Sequence, residues 1–471
     1  MNSHFASKAK VQGNNDEIPF LDKKENIFSE LSNINTSPIE ISKIIRTLKK
    51  SNQSHCGVPA KFLSLIATPV SFALSRMYNN LFEIGHFPDV FKLAHITAIW
   101  KQKGLKSSKL FYRPISLLPT LSKIYESVMH NRLLSHCTEN NIISERQAAY
   151  IKGDSTVNQL LYLVHTIRTA WTNKNTSHGK FLDVMGAFET VWHRGLLAKL
   201  SQHKISGKCH DLFQSYLSNR KQVVVVDGQK SEVLELEAGI PQGSKLGPLL
   251  FIIYINDIGE NLESEILIFA DDTTIIAHGN DPDTTANQLN RDLIKIRDWS
   301  HFWKLKFGAD KSRDLIFSNI THNNTLQVFF NNEPIKRVTQ HKHLGIILTS
   351  NLNFDTHVHS VCLRTNAKLA VLRSVKGLQR KTLDILYKIT VRSIIDYAMP
   401  VYFGTLNESS KQRLSQIQYR AAKIVTGALH WSSAIKLNID LGWESLEKRF
   451  EFLGLTLFHK IRCYQTLVLS N

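Results

Sequence analysis

The feature that most restricts the fold of this chain is a pair of adjacent aspartates between two β-prone runs. Residues 266–269 and 273–277 are apolar or β-branched, and they flank Asp271 and Asp272. Such runs, joined by so short a connection, predict a tight hairpin with both carboxylates at its turn. Because adjacent carboxylates repel each other, the pattern indicates a cation site. An ordinary polar turn is the alternative, since aspartate is a favoured turn residue.

A third carboxylate, that of Asp183, lies near the end of another strand-like run. Residues 180–184 are predicted to form a strand, followed by a helix over residues 187–200. This order can present Asp183 at the rim of the same sheet, although a helix N-cap is the alternative reading. Mg²⁺ is usually held by one or two carboxylates together with substrate phosphates, and paired ions assist in-line phosphoryl displacement. The three acids together therefore indicate a candidate metal site.

A loop rich in glycine and proline lies between these acids, in the sequence GIPQGSKLGP (residues 239–248). Its glycines allow close backbone approach to a ligand, and Pro248 begins an apolar helix that anchors the loop. A simple connecting loop is the alternative.

The remaining pattern mixes helices and strands without a regular βα repeat, which favours an α+β fold. A helix is predicted from Ser37, a strand-like hairpin with basic residues at its tip over residues 96–119, and strands over 222–226 and 314–318. Helices are predicted over residues 62–87, 121–134, 157–171 and 286–299. Strand signals stop near residue 356, so the rest is predicted to be helical. Residues 1–36 are polar and without a period, which predicts disorder.

The charge balance favours a polyanionic partner. The chain has 58 Lys and Arg against 40 Asp and Glu, a net charge of +18, and its 42% hydrophobic residues exclude a wholly disordered chain. From residue 361 to the end there are 17 basic and 7 acidic residues, which leaves +10 in a helical region. Nucleic acid is the commonest partner of such a surface, and a merely soluble basic protein is the alternative.

Cysteine usage and hydropathy indicate a cytosolic or nuclear protein. The five cysteines are scattered, without a metal-ligand spacing, and predict reduced thiols: Cys56, Cys137, Cys209, Cys362 and Cys463. The longest apolar stretch, residues 249–255, is far shorter than the ~20 residues needed to cross a bilayer. No signal peptide is apparent at the N-terminus. We therefore predict no membrane association.

Four ordered motifs give the chain its family resemblance. YRPISLLP (residues 112–119), FLDVMGAF (181–188), GIPQGSKLGP (239–248) and FADD (269–272) resemble, in order and spacing, the reverse transcriptase of non-LTR, Jockey-like retrotransposons. WKLK (303–306), HLGIIL (343–348) and YAMPVY (397–402) extend the resemblance. It implies a right-hand polymerase with fingers and palm over residues 37–355 and a helical thumb over 356–471.

The resemblance also implies a role for individual residues of this chain. Asp183, Asp271 and Asp272 match the metal-binding acids, with the backbone carbonyl of Val184 as a further ligand, Mg²⁺ or Mn²⁺ as the metal, and an RNA template, a DNA primer and deoxynucleoside triphosphates as partners. The substrate-binding positions are Arg113 at the triphosphate, Phe188 at the ribose, Gln242 and Gly243 at the nascent base pair, and Lys311 at the leaving pyrophosphate. Leu344 and Gly345 match the hairpin that positions the primer terminus.

Departures from the family pattern keep other readings open. Met185, Gly186 and Glu189 replace usual residues around the first acid, and Ala148 and Ala149 alter the fingers segment. A catalytically decayed nucleic-acid-binding remnant is therefore the main alternative, and a group II intron maturase a third. The family's reading frame normally begins with an endonuclease domain, so we expect this chain to be the polymerase core of a longer element or a truncated copy.

Overall fold

The structure is a computed structural model that describes residues 1–10, 21, 24, 27–48, 58–102, 104–318, 326–429 and 431–464. These residues form two compact units. Unit 1 comprises Met1–Gln147, Val184–Asn261 and Lys295–Gly308, and unit 2 comprises Ala148–Asp183, Leu262–Ile294 and Ala309–Asn471. The chain thus passes from one unit to the other directly after Asp183. The division into fingers with palm and thumb stays a prediction.

The described residues contain seventeen α-helices and fourteen strands. The helices are α1 (Asn2–Ala6), α2 (Pro38–Thr47), α3 (Ala60–Leu65), α4 (Ala67–Glu83), α5 (Thr120–Glu139), α6 (Thr156–Thr172), α7 (His193–Gln202), α8 (Gly207–Leu217), α9 (Gly247–Ile255), α10 (Pro282–Phe302), α11 (Asp355–Ser374), α12 (Arg380–Tyr387), α13 (Ser393–Asp396), α14 (Met399–Tyr402), α15 (Glu408–Thr426), α16 (Ala434–Leu441) and α17 (Leu446–Tyr464). The strands are β1 (Leu93–Trp100), β2 (Tyr112–Leu117), β3 (Thr176–Asp183), β4 (Lys221–Val226), β5 (Gln229–Lys230), β6 (Leu234–Glu235), β7 (Glu265–Phe269), β8 (Asp272–Gly279), β9 (Arg313–Phe317), β10 (Phe329–Phe330), β11 (Glu333–Pro334), β12 (Lys336–Arg337), β13 (Gln340–His343) and β14 (Ile346–Thr349).

Unit 1 is built on a sheet in the order β2-β1-β4-β5, with β6 also paired to β4. β1 and β2 are antiparallel and pair Trp100 with Tyr112, which confirms the predicted hairpin. β4 runs parallel to β1. Helix α9 is buried along nearly its whole length, because its sequence GPLLFIIYI offers no polar side that could face water.

Unit 2 is built on a sheet in the order β12-β9-β3-β8-β7. β3 is central and antiparallel to both β8 and β9, and the β7–β8 hairpin is the one predicted from the sequence. Residues from this sheet, such as Phe181 and Leu315, share one apolar core with residues of the C-terminal helices, such as Leu369 and Tyr387. In the described part of the chain, all regular elements beyond β14 are helical, as predicted.

Two local predictions differ from the structure. The helix predicted over residues 187–200 begins only at His193. Residues 185–190 form turns instead, in which the backbone N–H groups of Glu189 and Thr190 both donate to the carbonyl of Gly186 (3.0 Å). Disorder was predicted for residues 1–36, yet Asn2–Ala6 is helical and Phe5 and Ile27 are buried. Phe5 packs with Ala94 and other apolar residues of unit 1, a long-range contact that local polarity does not reveal. Residues 11–20, 22, 23, 25 and 26 of that segment lie outside the described residues.

The remaining sequence expectations concern thiols and membranes. Four cysteines of the described part are free thiols, namely Cys137, Cys209, Cys362 and Cys463, and Cys56 lies outside it. Among the described residues, no helix is both long and apolar enough to cross a membrane.

Candidate active site

The acidic turn of unit 2 is formed by a two-residue connection between β7 and β8. Phe269 pairs with Asp272, so Ala270 and Asp271 make up the turn. Ala270 has φ +54°, while Asp271 keeps a negative φ, which corresponds to a turn that favours glycine at its first central position. A non-glycine residue there carries backbone strain, a property that clusters at functional sites. The turn lies at the surface and both residues keep an exposed part, although the surrounding protein removes much of the water around the Asp272 carboxylate.

Asp183 is brought to the same place by the register of the sheet. It is the last residue of β3 and pairs directly with Asp272 of β8, so their Cα atoms are about 5 Å apart. Directly opposed residues point to one face of a sheet, and two like charges in this arrangement destabilise it. The predicted convergence of Asp183 with the acidic turn is therefore present within unit 2.

The carboxylates of Asp183, Asp271 and Asp272 shift the pKa values of groups around them. Removal of water by the surrounding protein, together with the charges of Asp271 and Asp183, raises the pKa of Asp272 to about 6. Burial and the charge of Asp271 also raise the pKa of the Tyr150 hydroxyl. Both shifts mark a place where added positive charge would be stabilising.

Lys311 supplies one positive charge at the edge of the group. Its Nζ lies 3.2 Å from Oδ2 of Asp183, and both side chains are about half exposed. An exposed pair of this kind contributes less than about 1 kcal/mol, so a stronger cation can displace the lysine. Within the described ranges, no three His, Cys, Asp or Glu side chains form a ready-made metal site. The donor set nevertheless fits a hard divalent cation that keeps water and substrate oxygens among its ligands.

A second group of predicted site residues lies in unit 1, where the glycine-rich loop packs beside β2. The backbone N–H of Ser116 donates to the carbonyl of Gln242 (2.8 Å). Gly243 has φ +127°, and a Cβ there would lie 2.6 Å from the carbonyl oxygen of Ser116, so only glycine fits. Arg113 is exposed on the same strand, opposite Ile99. The structure thus brings Arg113, Gln242 and Gly243 onto neighbouring segments.

Val184 and Phe188 also belong to unit 1. Val184 is buried and bridges to Phe307, while Phe188 is half-buried and its ring lies 5.3 Å from that of Phe251 of α9. The carbonyl of Phe188 accepts from the backbone N–H of Ile240 (2.8 Å). Phe188 is therefore tied both to α9 and to the glycine-rich loop.

Leu344 and Gly345 form the turn of the β13–β14 hairpin in unit 2. Both have positive φ, +42° and +88°, which is the pattern of a type I′ turn between antiparallel strands. The hairpin packs against β3, since the ring centroids of His341 and His343 lie 4.4 and 4.9 Å from that of Phe181. Phe181 precedes Asp183 by two residues on the same face, so the hairpin is coupled to the strand that carries this acid.

Glu126 of α5 was missed by the sequence analysis. It is fully buried, and its carboxylate accepts from the backbone N–H groups of Lys245 (2.9 Å) and Leu246 (3.4 Å) in the glycine-rich loop. Burial raises its pKa, against the opposing charge of Arg220. Glu126 therefore holds the glycine-rich loop against α5. In the sequence it is one polar helix residue among others, so no local pattern predicts this contact.

Residues 102–348 match the reverse transcriptase (RNA-dependent DNA polymerase) family. This match covers more than half of the chain, so the chain belongs to the reverse transcriptase family, and the predicted α+β class with a right-hand polymerase fold is confirmed.

The curated relatives of this chain are polymerases of mobile elements, as the motif resemblance implied. The chain is 30% identical over 381 residues to the RNA-directed DNA polymerase from mobile element jockey of Drosophila melanogaster, which covers 78% of this chain and 41% of that protein. It is 28% identical over 416 residues to the probable RNA-directed DNA polymerase from transposon X-element of the same organism. That match covers 86% of this chain and 45% of the relative. The chain thus spans less than half the length of these relatives.

A solved structure also resembles the chain, but only weakly. Apo telomerase from Candida tropicalis, truncated from its C-terminal domain, is 11% identical with a TM-score of 0.38, covering 65% of this chain and 63% of that one. No structural conclusion rests on a likeness of this size.

Proposed function

We propose that this chain is the RNA-directed DNA polymerase core of a non-LTR retrotransposon, which transfers deoxynucleotides from their triphosphates to a primer 3′-hydroxyl on an RNA template. The observation that carries this proposal is the pairing of Asp183 with Asp272 beside Asp271 at a strained hairpin turn. The family membership of the chain supports the same reaction.

In this reaction Asp183, Asp271 and Asp272 of unit 2 would hold the divalent metal, Mg²⁺ or Mn²⁺. When bound, the metal neutralises charge on the triphosphate and on the primer oxygen. Lys311 has its ammonium beside Asp183 and can hold charge, or supply a proton, at the departing pyrophosphate. The raised pKa of Asp272 is consistent with a site at which a bound cation would be stabilising.

The residues of unit 1 bind and orient the incoming nucleotide. Arg113 offers a permanently charged planar guanidinium to phosphate oxygens. Phe188, fixed by its stacking on Phe251, limits the space at the ribose 2′-position and favours deoxynucleotides. Gln242 and Gly243 lie against the nascent base pair, and their loop is kept rigid by Glu126.

Residues 37–355 would then act as fingers and palm, and residues 356–471 as a thumb. The +10 charge from residue 361 onward favours contact with the phosphates of the template and primer. The nucleus or the cytoplasm is where such an enzyme would meet its RNA and its chromosomal target.

Primer extension tests the proposed reaction. The purified chain is incubated with a DNA primer annealed to an RNA template, Mg²⁺ and the four deoxynucleoside triphosphates, and products are resolved by length. We expect template-directed extension that stops when EDTA is added and that is weaker with ribonucleoside triphosphates. Tight RNA binding without any extension would instead favour the second candidate, a catalytically decayed remnant. The residues that favour this candidate are Met185, Gly186 and Glu189, which differ from the family pattern.

A metal-dependent change in stability gives a test that is independent of activity. In EDTA near pH 7, Asp272→Asn removes a carboxylate facing two like charges, so we expect its unfolding temperature to rise by up to about 2 °C. The direction of this change in unfolding temperature follows from the raised pKa of Asp272. Between the pKa of an unfolded aspartate and the folded pKa of about 6, the folded state binds more protons than the unfolded state, so the folded state loses stability as the pH increases. Adding Mg²⁺ should raise the unfolding temperature of the wild type more than that of the variant. Equal responses to Mg²⁺ would contradict the assigned ligand.

A further inference from the structure

The hydroxyl of Tyr397 connects the β13–β14 turn to the start of helix α6. Its oxygen lies 2.6 Å from the carbonyl oxygen of Leu344 and 3.1 Å from Oγ1 of Thr156. A carbonyl oxygen only accepts, so the phenolic proton goes to Leu344, and the Thr156 hydroxyl donates to the tyrosine oxygen. The three groups therefore form one directional chain of hydrogen bonds within unit 2.

The ring of Tyr397 also covers the second residue of this turn. A Cβ built on Gly345 would lie 2.8 Å from Cε1 of Tyr397, so the ring lies directly on the glycine. Leu344 is held at φ +42°, a backbone conformation that is unfavourable for a residue with a side chain. The hydrogen bond to its carbonyl is thus the contact that stabilises a strained turn.

The backbone around Tyr397 is distorted on both sides. A π-helical segment, Lys388–Arg392, precedes it, and Ala398 immediately after it has φ +53°. Nη2 of Arg449 lies 2.8 Å from Oδ2 of Asp396, the residue before the tyrosine, and stabilises this irregular geometry. Such irregularities are frequent at functional sites. These two irregular backbone segments flank Tyr397, whose side chain extends from the helical region onto the β13–β14 hairpin.

We infer that Tyr397 is a positioning residue, which fixes the Leu344–Gly345 turn so that the primer 3′-terminus is aligned with the acidic turn. This inference rests on the proposed function. The hairpin can be held in a fixed position relative to the acidic turn because His341 and His343 of the hairpin pack on Phe181. Phe181 lies on the strand that ends in Asp183. Tyr397 itself contacts no reacting atom.

Tyr397→Phe tests this role because it keeps the ring on Gly345 and removes only the hydroxyl. We expect the single-turnover extension rate to fall about fivefold to tenfold, the effect of one lost hydrogen bond, while the Kd for primer–template stays within about twofold. Thr156→Val should give a smaller loss. The double variant should be no slower than Tyr397→Phe, since both changes break the same chain of bonds.

The matched control is Tyr419→Phe, which loses a similar bond to the carbonyl of Ser432 (2.6 Å) in the same unit. Equal extension rates for the two phenylalanine variants would overturn the inference. So would a parallel fall in unfolding temperature, RNA affinity and rate in Tyr397→Phe, because that pattern reports a structural role.

A fluorescent base, 2-aminopurine, at the primer 3′-terminus separates this inference from the proposed function. We expect wild-type binding to change its fluorescence and Tyr397→Phe to reduce that change at equal occupancy. If the wild type does not extend primers but the signal still depends on Tyr397, the proposed reaction fails and the positioning role stands. If extension occurs and the signal is the same in both proteins, the positioning role fails and the reaction stands.

Discussion

Asp271→Asn is expected to lower the rate of primer extension by at least about 10²-fold to 10³-fold, the usual cost of losing one preorganised group at a site of developing charge. The substitution keeps the size of the side chain and removes the charge at the tip of the β7–β8 turn. RNA affinity should be unchanged, because the proposed contacts with the template phosphates are made by basic residues elsewhere in the chain. The measurement is single-turnover extension at saturating Mg²⁺, together with a binding titration of the same RNA.

The control for this variant is Asp298→Asn, which makes the same chemical change at an exposed position beside Arg297. It should extend primers at the wild-type rate. If Asp271→Asn retained a rate within about threefold of the wild type, the acidic turn would not be the catalytic centre. A wild type that binds RNA but never extends would leave the remnant as the better description.

Asp314→Asn should produce the largest loss of stability, about 3–5 kcal/mol. Asp314 of β9 is fully buried, and its carboxylate contacts the ammonium of Lys180, Nε2 of His178 (2.7 Å) and Nε of Arg337 (2.9 Å). Burial alone raises the pKa of Asp314, but the hydrogen bond from His178 and the charge of Lys180 outweigh it and hold the pKa well below its usual range. The variant would leave the ammonium of Lys180 buried without its anion and would remove one partner of the partly exposed Arg337.

Urea unfolding near pH 7 measures this effect, with Asp298→Asn expected to stay within about 0.5 kcal/mol of the wild type. Because the folded pKa of Asp314 is depressed, its contribution is present above the unfolded value near 4 and is lost as pH falls below it. The difference between variant and wild type should therefore shrink in acid. A loss below about 1 kcal/mol at pH 7 would mean that water reaches the cluster and screens it.

Burial of Lys180 also shows why part of the fold was hidden in the sequence. Its pKa is lowered by burial to about 8 despite the neighbouring Asp314, yet in the sequence it is only a lysine at the start of a predicted strand. Nothing local distinguishes it from a solvated lysine, because its partner lies on another strand. The contacts of Glu126 and Tyr397 were not predicted for the same reason, since each side chain reaches a backbone group far away in the chain.

What the sequence determined by itself is the set of local elements and the identity of their motifs. The β1–β2 and β7–β8 hairpins and the apolar helix α9 follow from contiguous patterns of side chains and turn residues, and the motifs were enough to indicate the family. Only the tertiary structure decided that Asp183 pairs with Asp272, that the helix after Gly186 starts late, and which polar groups hold the loop and the hairpin. Pairing between strands and burial of charge depend on contacts between distant segments, and no local pattern encodes them.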